Sequence, residues 1–226
     1  MAVAKLIFTA EIFRFFQDLK KHNKKAWMDA NRERYQETVS KPFRRLLEEL
    51  SPALLKLDAN FDVAAHGGRN FSRINRDIRF AKDKTPYRTQ MYVKCSVPLP
   101  GEMEGGEMYL GISAEAVTCG FRIYAMPKRK LSPIAVVAEP KLAANPRLLA
   151  QQKKRLAKRY DSYWYSTVKG EWTKNHGWPE MEDWPKLQGW IVRKKLAKSA
   201  VMRESLPADA AKVFRDLYPL LKFTSL

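Results

Sequence analysis

Six basic side chains crowd one short stretch of the chain. In RINRDIRFAKDKTPYR, residues 73–88, Arg73, Arg76, Arg79, Lys82, Lys84 and Arg88 stand against only two acids, Asp77 and Asp83. Local pairing with two carboxylates cannot neutralise six cations, so the surplus is solvated or available to an anion. Arginine presents a planar fork of donors that matches phosphate or carboxylate oxygens in pairs, and lysine adds a point charge. The chemistry indicated is anion recognition by Arg73, Arg76, Asp77, Arg79, Lys82, Lys84, Tyr87 and Arg88, with Asp77 holding one guanidinium in place. The competing reading is an internal salt-bridge network, which specifies structure as often as function. Alternation predicts a strand through about Phe80 that puts Arg73, Asp77 and Arg79 on one side and Arg76 on the other. A turn at AKDKTP follows, with Pro86 keeping Thr85 out of helical space and Asp83 accepting a backbone N–H two residues on.

For proton transfer or nucleophilic attack the nearby candidates are Asp77, Asp83, Tyr87, Thr85 and His22. A carboxylate among arginines has its charged form favoured, which makes it a poor acid and a modest base. Asp77 and Asp83 alone are a thin ligand set for a divalent cation amid so much positive charge. No nucleophile elbow, zinc motif, P-loop or dinucleotide fingerprint occurs, so neither metal nor cofactor is expected.

The elements that must hold this block are legible in outline. Ile12, Phe13, Phe16 and Leu19 share the face of a helix capped by Thr9, Asn23 can cap a second over 24–39, and Pro42 opens a third over 42–52. TQMYVKCSV alternates as a half-buried strand, and MYLGIS and AVTCGFRIYAM read as a hairpin turning at Ala114-Glu115. Residues 140–160 read as one basic helix with Asn145 as N-cap. Residues 161–189, with Trp164, Trp172, Trp178 and Trp184, read as a long ordered loop, GWIVRKKL as a strand, and Ser205 and Pro207 as the start of a closing helix. The expected architecture is a single α+β domain: N-terminal helices over about 9–58, a central antiparallel sheet over about 70–126, a basic helical and Trp-rich part over about 133–189, and a closing strand and helix over about 190–226.

The chain has 226 residues and a net charge of +18. Residues 1–110 hold 20 basic and 14 acidic side chains, and residues 111–226 hold 22 and 10, so most of the excess lies in the second half. It includes KRK at 128–130, QQKKRLAKRY at 151–160 and RKKLAK at 193–198. A phosphate-tracking surface of Lys153, Lys154, Arg155, Lys158, Arg159, Lys194 and Lys195 is one reading, with Tyr160, Tyr163, Trp164 and Tyr165 as stacking candidates. A solvated helix face is the other. Two cysteines, Cys95 and Cys119, among apolar neighbours read as buried free thiols. With neither a signal-like N-terminus nor an apolar run of membrane-spanning length, a cytoplasmic protein is expected. No feature sets an oligomeric state.

The pattern R-x-x-R-D-x-R-F-x-K-D-K-T-P-Y-R/K-T, here Arg73 to Thr89, resembles the family catalogued as domain of unknown function 2461, found in bacteria and fungi. Asn23, Trp27, Asn31 and Tyr35 are similar to that family's N-x-x-x-W-F-x-x-N-x-x-x-Y pattern, as is the ending W-I-V-R-K-K-L from Trp190 to Leu196. Met28 replaces the family's Phe after the tryptophan, and Asn75 stands where an aromatic is common. The resemblance implies a cytoplasmic α+β domain and no established activity.

Three functions follow from the residues. The leading one is a cytoplasmic domain that engages an anion or nucleic acid through the 73–88 block and the basic 128–198 surface. The alternatives are an enzyme acting on a phosphorylated or otherwise anionic small molecule in an Arg-rich pocket, and a module that docks an acidic protein partner. A concave pocket favours the small molecule, and a flat basic stripe favours nucleic acid.

Overall fold

Ile12, Phe13, Phe15, Phe16 and Leu19 bury one side of the first helix, α1 (Glu11–Lys21), whose Glu11 N–H is taken by Thr9 Oγ1 at 3.3 Å. The computed structural model describes residues 6–97, 105–124, 139–168 and 171–224. Short helices α2 (Lys25–Ala30) and α3 (Arg32–Tyr35) follow. A π-helical turn, Gln36–Ser40, joins α3 to α4 (Lys41–Leu57), with Pro42 in the first turn of α4. Then come the strands β1 (Gln90–Ser96), β2 (Glu107–Ser113) and β3 (Val117–Tyr124). Helices α5 (Glu139–Ala144) and α6 (Arg147–Leu156) lead to β4 (Asp161–Val168) and β5 (Glu171–His176). A 3₁₀ turn (Met181–Lys186), β6 (Gly189–Leu196), α7 (Lys198–Val201) and α8 (Leu206–Phe223) complete the chain.

The strands form one antiparallel sheet in the order β1-β2-β3-β6-β4-β5. Its register sets the two faces. Val93 opposite Leu110, Leu110 opposite Cys119 and Phe121 opposite Val192 make a continuous apolar side, on which α4 and α8 pack. Leu46, Leu50, Phe214 and Leu217 meet that side and are fully buried. Both thiols, Cys95 and Cys119, lie inside this core and are free. The far face carries the alternate residues: Tyr92, Tyr109, Arg122, Tyr124, Arg193, Tyr163, Tyr165 and Trp172. Among the described residues no helix is long and apolar enough to cross a membrane.

The α+β class holds, with three corrections of detail. The basic segment 140–160 is two helices, because Pro146 lacks the N–H that would continue a single one. Residues 161–168 and 171–176 are a strand pair, β4 and β5, in place of a loop. Their alternation is hidden because β4 sets Trp164 on one side and Tyr163 and Tyr165 on the other, while β5 is an exposed edge with no apolar stripe. Residues 72–80 form no strand; Asn75 opposite Tyr87 is an isolated bridge. The KRK cluster at 128–130 and the end of the hairpin at 126 lie outside the described residues.

Candidate functional site

The 73–88 block folds as an irregular hairpin held largely by its own side chains. Arg76 N–H donates to Pro86 C=O at 2.8 Å and Arg88 N–H to Ile74 C=O at 2.7 Å, and beyond these two bonds the backbone turns away. Asp77 Oδ1 accepts the Arg79 N–H at 3.2 Å and Asp83 Oδ1 the Thr85 N–H at 2.9 Å. Each local bond satisfies a donor that a strand ladder would have used, which is why a sequence with strand-like alternation forms none.

Two asparagines pin this hairpin and the loop before it. Asn23 does not cap α2. Its amide donates to Tyr87 C=O at 2.8 Å and accepts the Tyr87 N–H at 3.0 Å, as a neighbouring strand would. Asn70, almost fully buried, accepts from His66 N–H at 3.0 Å and donates to Asp62 C=O at 2.8 Å. The backbone on either side of it runs along the free edge of β1, with Lys94 N–H on Asn70 C=O at 2.7 Å and Ser72 N–H on Tyr92 C=O at 3.0 Å. That pairing covers an edge otherwise open to a foreign strand.

Between this segment and the far face of the sheet lies a cleft of about 760 Å³. Arg73, Asn75, Arg76, Asp77 and Arg88 line it from the hairpin, and Tyr92, Lys94, Arg122 and Tyr124 from the sheet. Gly68 lines it too, at φ +86°, and a Cβ there would stand 3.1 Å from Arg73 Nε; the left-handed backbone and the missing side chain seat that guanidinium.

The pairing of the cations sorts them. Arg122 is 15% exposed, bonded to Glu107 at 2.5 Å, with its carbon centre 4.7 Å from the Tyr92 ring and 4.8 Å from that of Tyr109. Burial pulls its pKa down, but the Glu107 carboxylate and surrounding phenols outweigh it, so the cation is favoured. Lys94 shares Glu107 at 3.8 Å and donates to Gly68 C=O at 3.2 Å. Arg76 pairs with Asp83 at 2.5 Å and also donates to Thr85. Arg79 grips both oxygens of Asp77, at 3.0 and 2.7 Å. Arg73 and Arg88 make no side-chain hydrogen bond or ion pair among the described residues, and both are exposed on the cleft wall. Burial raises the Tyr92 phenol and pushes that of Tyr124 up to about 12, so both stay neutral donors at neutral pH.

The expected geometry is thus rearranged. Arg73, Arg76, Asp77 and Arg88 all border the cleft, while the Arg76 guanidinium turns to Asp83 and Thr85. Arg79, Lys82 and Lys84 lie toward the hairpin tip beside Phe80, which is 94% exposed; Lys84 Nζ donates to the carbonyls of Ile78 and Arg79 at 3.0 and 3.3 Å. Tyr87 is buried in the core, and His22 stacks on Trp27. Among the described residues no group of acidic, histidine or cysteine side chains could hold a metal ion.

The second basic feature is partly committed to the fold. Lys153 pairs with Glu180 at 2.6 Å, Arg159 with Asp216 at 2.8 Å, and Arg155 donates to Asp216 C=O at 2.5 Å. Tyr160 is buried and donates to Asp216 at 2.7 Å, and Trp164 is buried. Lys154, Lys158, Lys194 and Lys195 remain exposed, but alternation on β6 sends Lys194 and Lys195 to opposite faces.

Sequence reading missed Arg122, Tyr92, Lys94 and Tyr124. The available signal was Arg122 itself, a lone charge in the apolar run VTCGFRIY, which a buried strand carries only with a partner.

Fold and site together define an α+β protein with a helical layer behind an antiparallel sheet and a cleft of arginines and tyrosines on the sheet's far side. Residues 11–223 match the family described as conserved hypothetical protein (DUF2461), and the chain belongs to that family. No curated protein matches it.

Proposed function

We propose that this chain is an anion-binding domain that takes a phosphate- or carboxylate-bearing small molecule into the cleft between the 73–88 hairpin and the sheet. The observation that carries this reading is the contrast among the cleft's cations: Arg76, Lys94 and Arg122 have acidic partners, whereas Arg73 and Arg88 have none among the described residues. Two arginines with no partner among the described residues, on one concave wall, suit a bidentate oxyanion. The concavity favours a small ligand over the extended nucleic-acid stripe, of which Lys153, Arg155 and Arg159 are bound to Glu180 and Asp216. Asp77 is the carboxylate a catalytic version of this reading would draw on, yet the Arg79 fork already engages both its oxygens, which favours a binding role. The reading places the protein in the cytoplasm, where buried Cys95 and Cys119 stay reduced.

Thermal melts test it. At constant ionic strength, an anion present at 100 times its Kd stabilises by about 2.7 kcal/mol, which raises Tm by about 5–10 °C in a chain of this size. Arg73→Lys is expected to keep the unliganded Tm and lose most of the gain, because lysine retains the charge without the fork. If phosphate, sulfate and citrate all leave the wild-type Tm unmoved, the reading is wrong; if Arg73→Lys itself unfolds the protein, the block is structural cement.

A further inference from the structure

The cleft does not end at Arg122. Tyr124, on its wall, stacks with Trp172 of β5 at 6.3 Å between ring centres and 29° between planes. Trp172 also meets Tyr165 at 5.5 Å, and Lys174 lies over the Tyr163 ring at 4.2 Å. The register puts these side chains on one face, since Tyr124 opposes Gly189, Gly189 opposes Tyr165, and Tyr165 opposes Lys174. Gly189 is what lets the Tyr124 ring lie down toward its neighbours, because a Cβ there would stand 2.6 Å from the ring.

Trp172 departs from the other tryptophans. Trp164, Trp178, Trp184 and Trp190 are buried and Trp27 is half-buried, whereas Trp172 is 47% exposed. A single exposed aromatic is ordinary, and packing on Tyr124 and Tyr165 alone could account for its place. Its position gives it more than that: it closes a row that begins at Arg122 and passes along the cleft wall. The Arg122 carbon centre stands 6.0 Å from the Tyr124 ring, and Trp172 follows one ring further. Arg73 and Arg88 line the same cleft as Tyr124, so the rings lead outward from the arginine-lined wall, as a base extends from its phosphate. Aromatic side chains on a sheet face, flanked by basic groups, are a recurrent platform for unpaired bases.

Resting on the anion-binding reading above, we infer that the ligand is a nucleoside phosphate, its phosphate held by Arg73 and Arg88 and its base stacked at Trp172. The same moiety occurs in a free nucleotide and in an unpaired strand. Calorimetry on the full chain at fixed ionic strength separates the cases, using inorganic phosphate, ribose 5-phosphate, adenosine 5′-monophosphate and a short single-stranded oligoadenylate. The monophosphate is expected to bind about tenfold tighter than ribose 5-phosphate, the contribution of one stacked base. Trp172→Ala should bring it down to ribose 5-phosphate, and Trp172→Phe should restore part of the difference. An oligoadenylate at least tenfold tighter than the monophosphate, with strong salt dependence, identifies a strand as the source; equal affinity identifies the free nucleotide. Ribose 5-phosphate binding as well as the monophosphate overturns this inference and leaves the anion cleft standing. Failure of every probe, inorganic phosphate included, removes both.

Discussion

Arg76 and Arg73 sit three residues apart in one hairpin and have opposite situations: one is tied to Asp83, the other is unpartnered among the described residues. The Arg76 side of this contrast predicts a pH dependence. The Asp83 carboxyl is held down to about 2, from an ordinary 3.8, first by the Thr85 N–H and then by Arg76 and the Thr85 hydroxyl. A depressed native pKa means that the contribution to stability is complete above about pH 4 and disappears as the pH falls toward 2. Asp83→Asn should therefore melt lower than wild type at neutral pH, and the two Tm curves should converge between pH 4 and 2. Parallel curves across that range would show that Asp83 fastens nothing. At this scale the sequence was informative as a count, since six bases against two acids predicts a surplus. It could not say which bases are left over, because that depends on how the hairpin closes. Asp77 was expected to meet Arg73 or Arg79; the Asx-type turn at 77–79 selects Arg79.

The cleft exists because an irregular segment, 62–72, is laid along β1, and Asn70 is its fastening. Replacing Asn70 by alanine leaves the His66 N–H and the Asp62 C=O without their partner in a part-buried setting, at a cost of about 2 kcal/mol. Urea unfolding should show that loss as a lower midpoint at unchanged slope, and a change under 1 kcal/mol would mean that water takes over both bonds. Strands β1, β2, β3 and β6 were legible because each sets apolar residues against the helical layer. Strand β4 was not, because its two faces are equally mixed: Trp164 is buried on one, and Tyr163 and Tyr165 lie on the other. The same mixing concealed half the cleft. Tyr92 and Lys94 look like the solvent side of an amphipathic strand, and only the register that brings Arg122 over the Tyr92 ring shows that this side is a wall.

For the whole molecule, a net charge of +18 attracts anions in general, but charge at this range sets rate and salt dependence more than position. The central claim concerns position: an oxyanion belongs between Arg73 and Arg88, against the sheet. Anomalous diffraction from crystals of the full chain grown with selenate, a sulfate-shaped anion with a strong signal, locates such a site directly. The account predicts a selenate peak within hydrogen-bond distance of both guanidinium groups, lost in Arg73→Lys crystals of the same form. Selenate found only around Lys154 and Lys158, or absent from the cleft while wild type retains its fold, would contradict it.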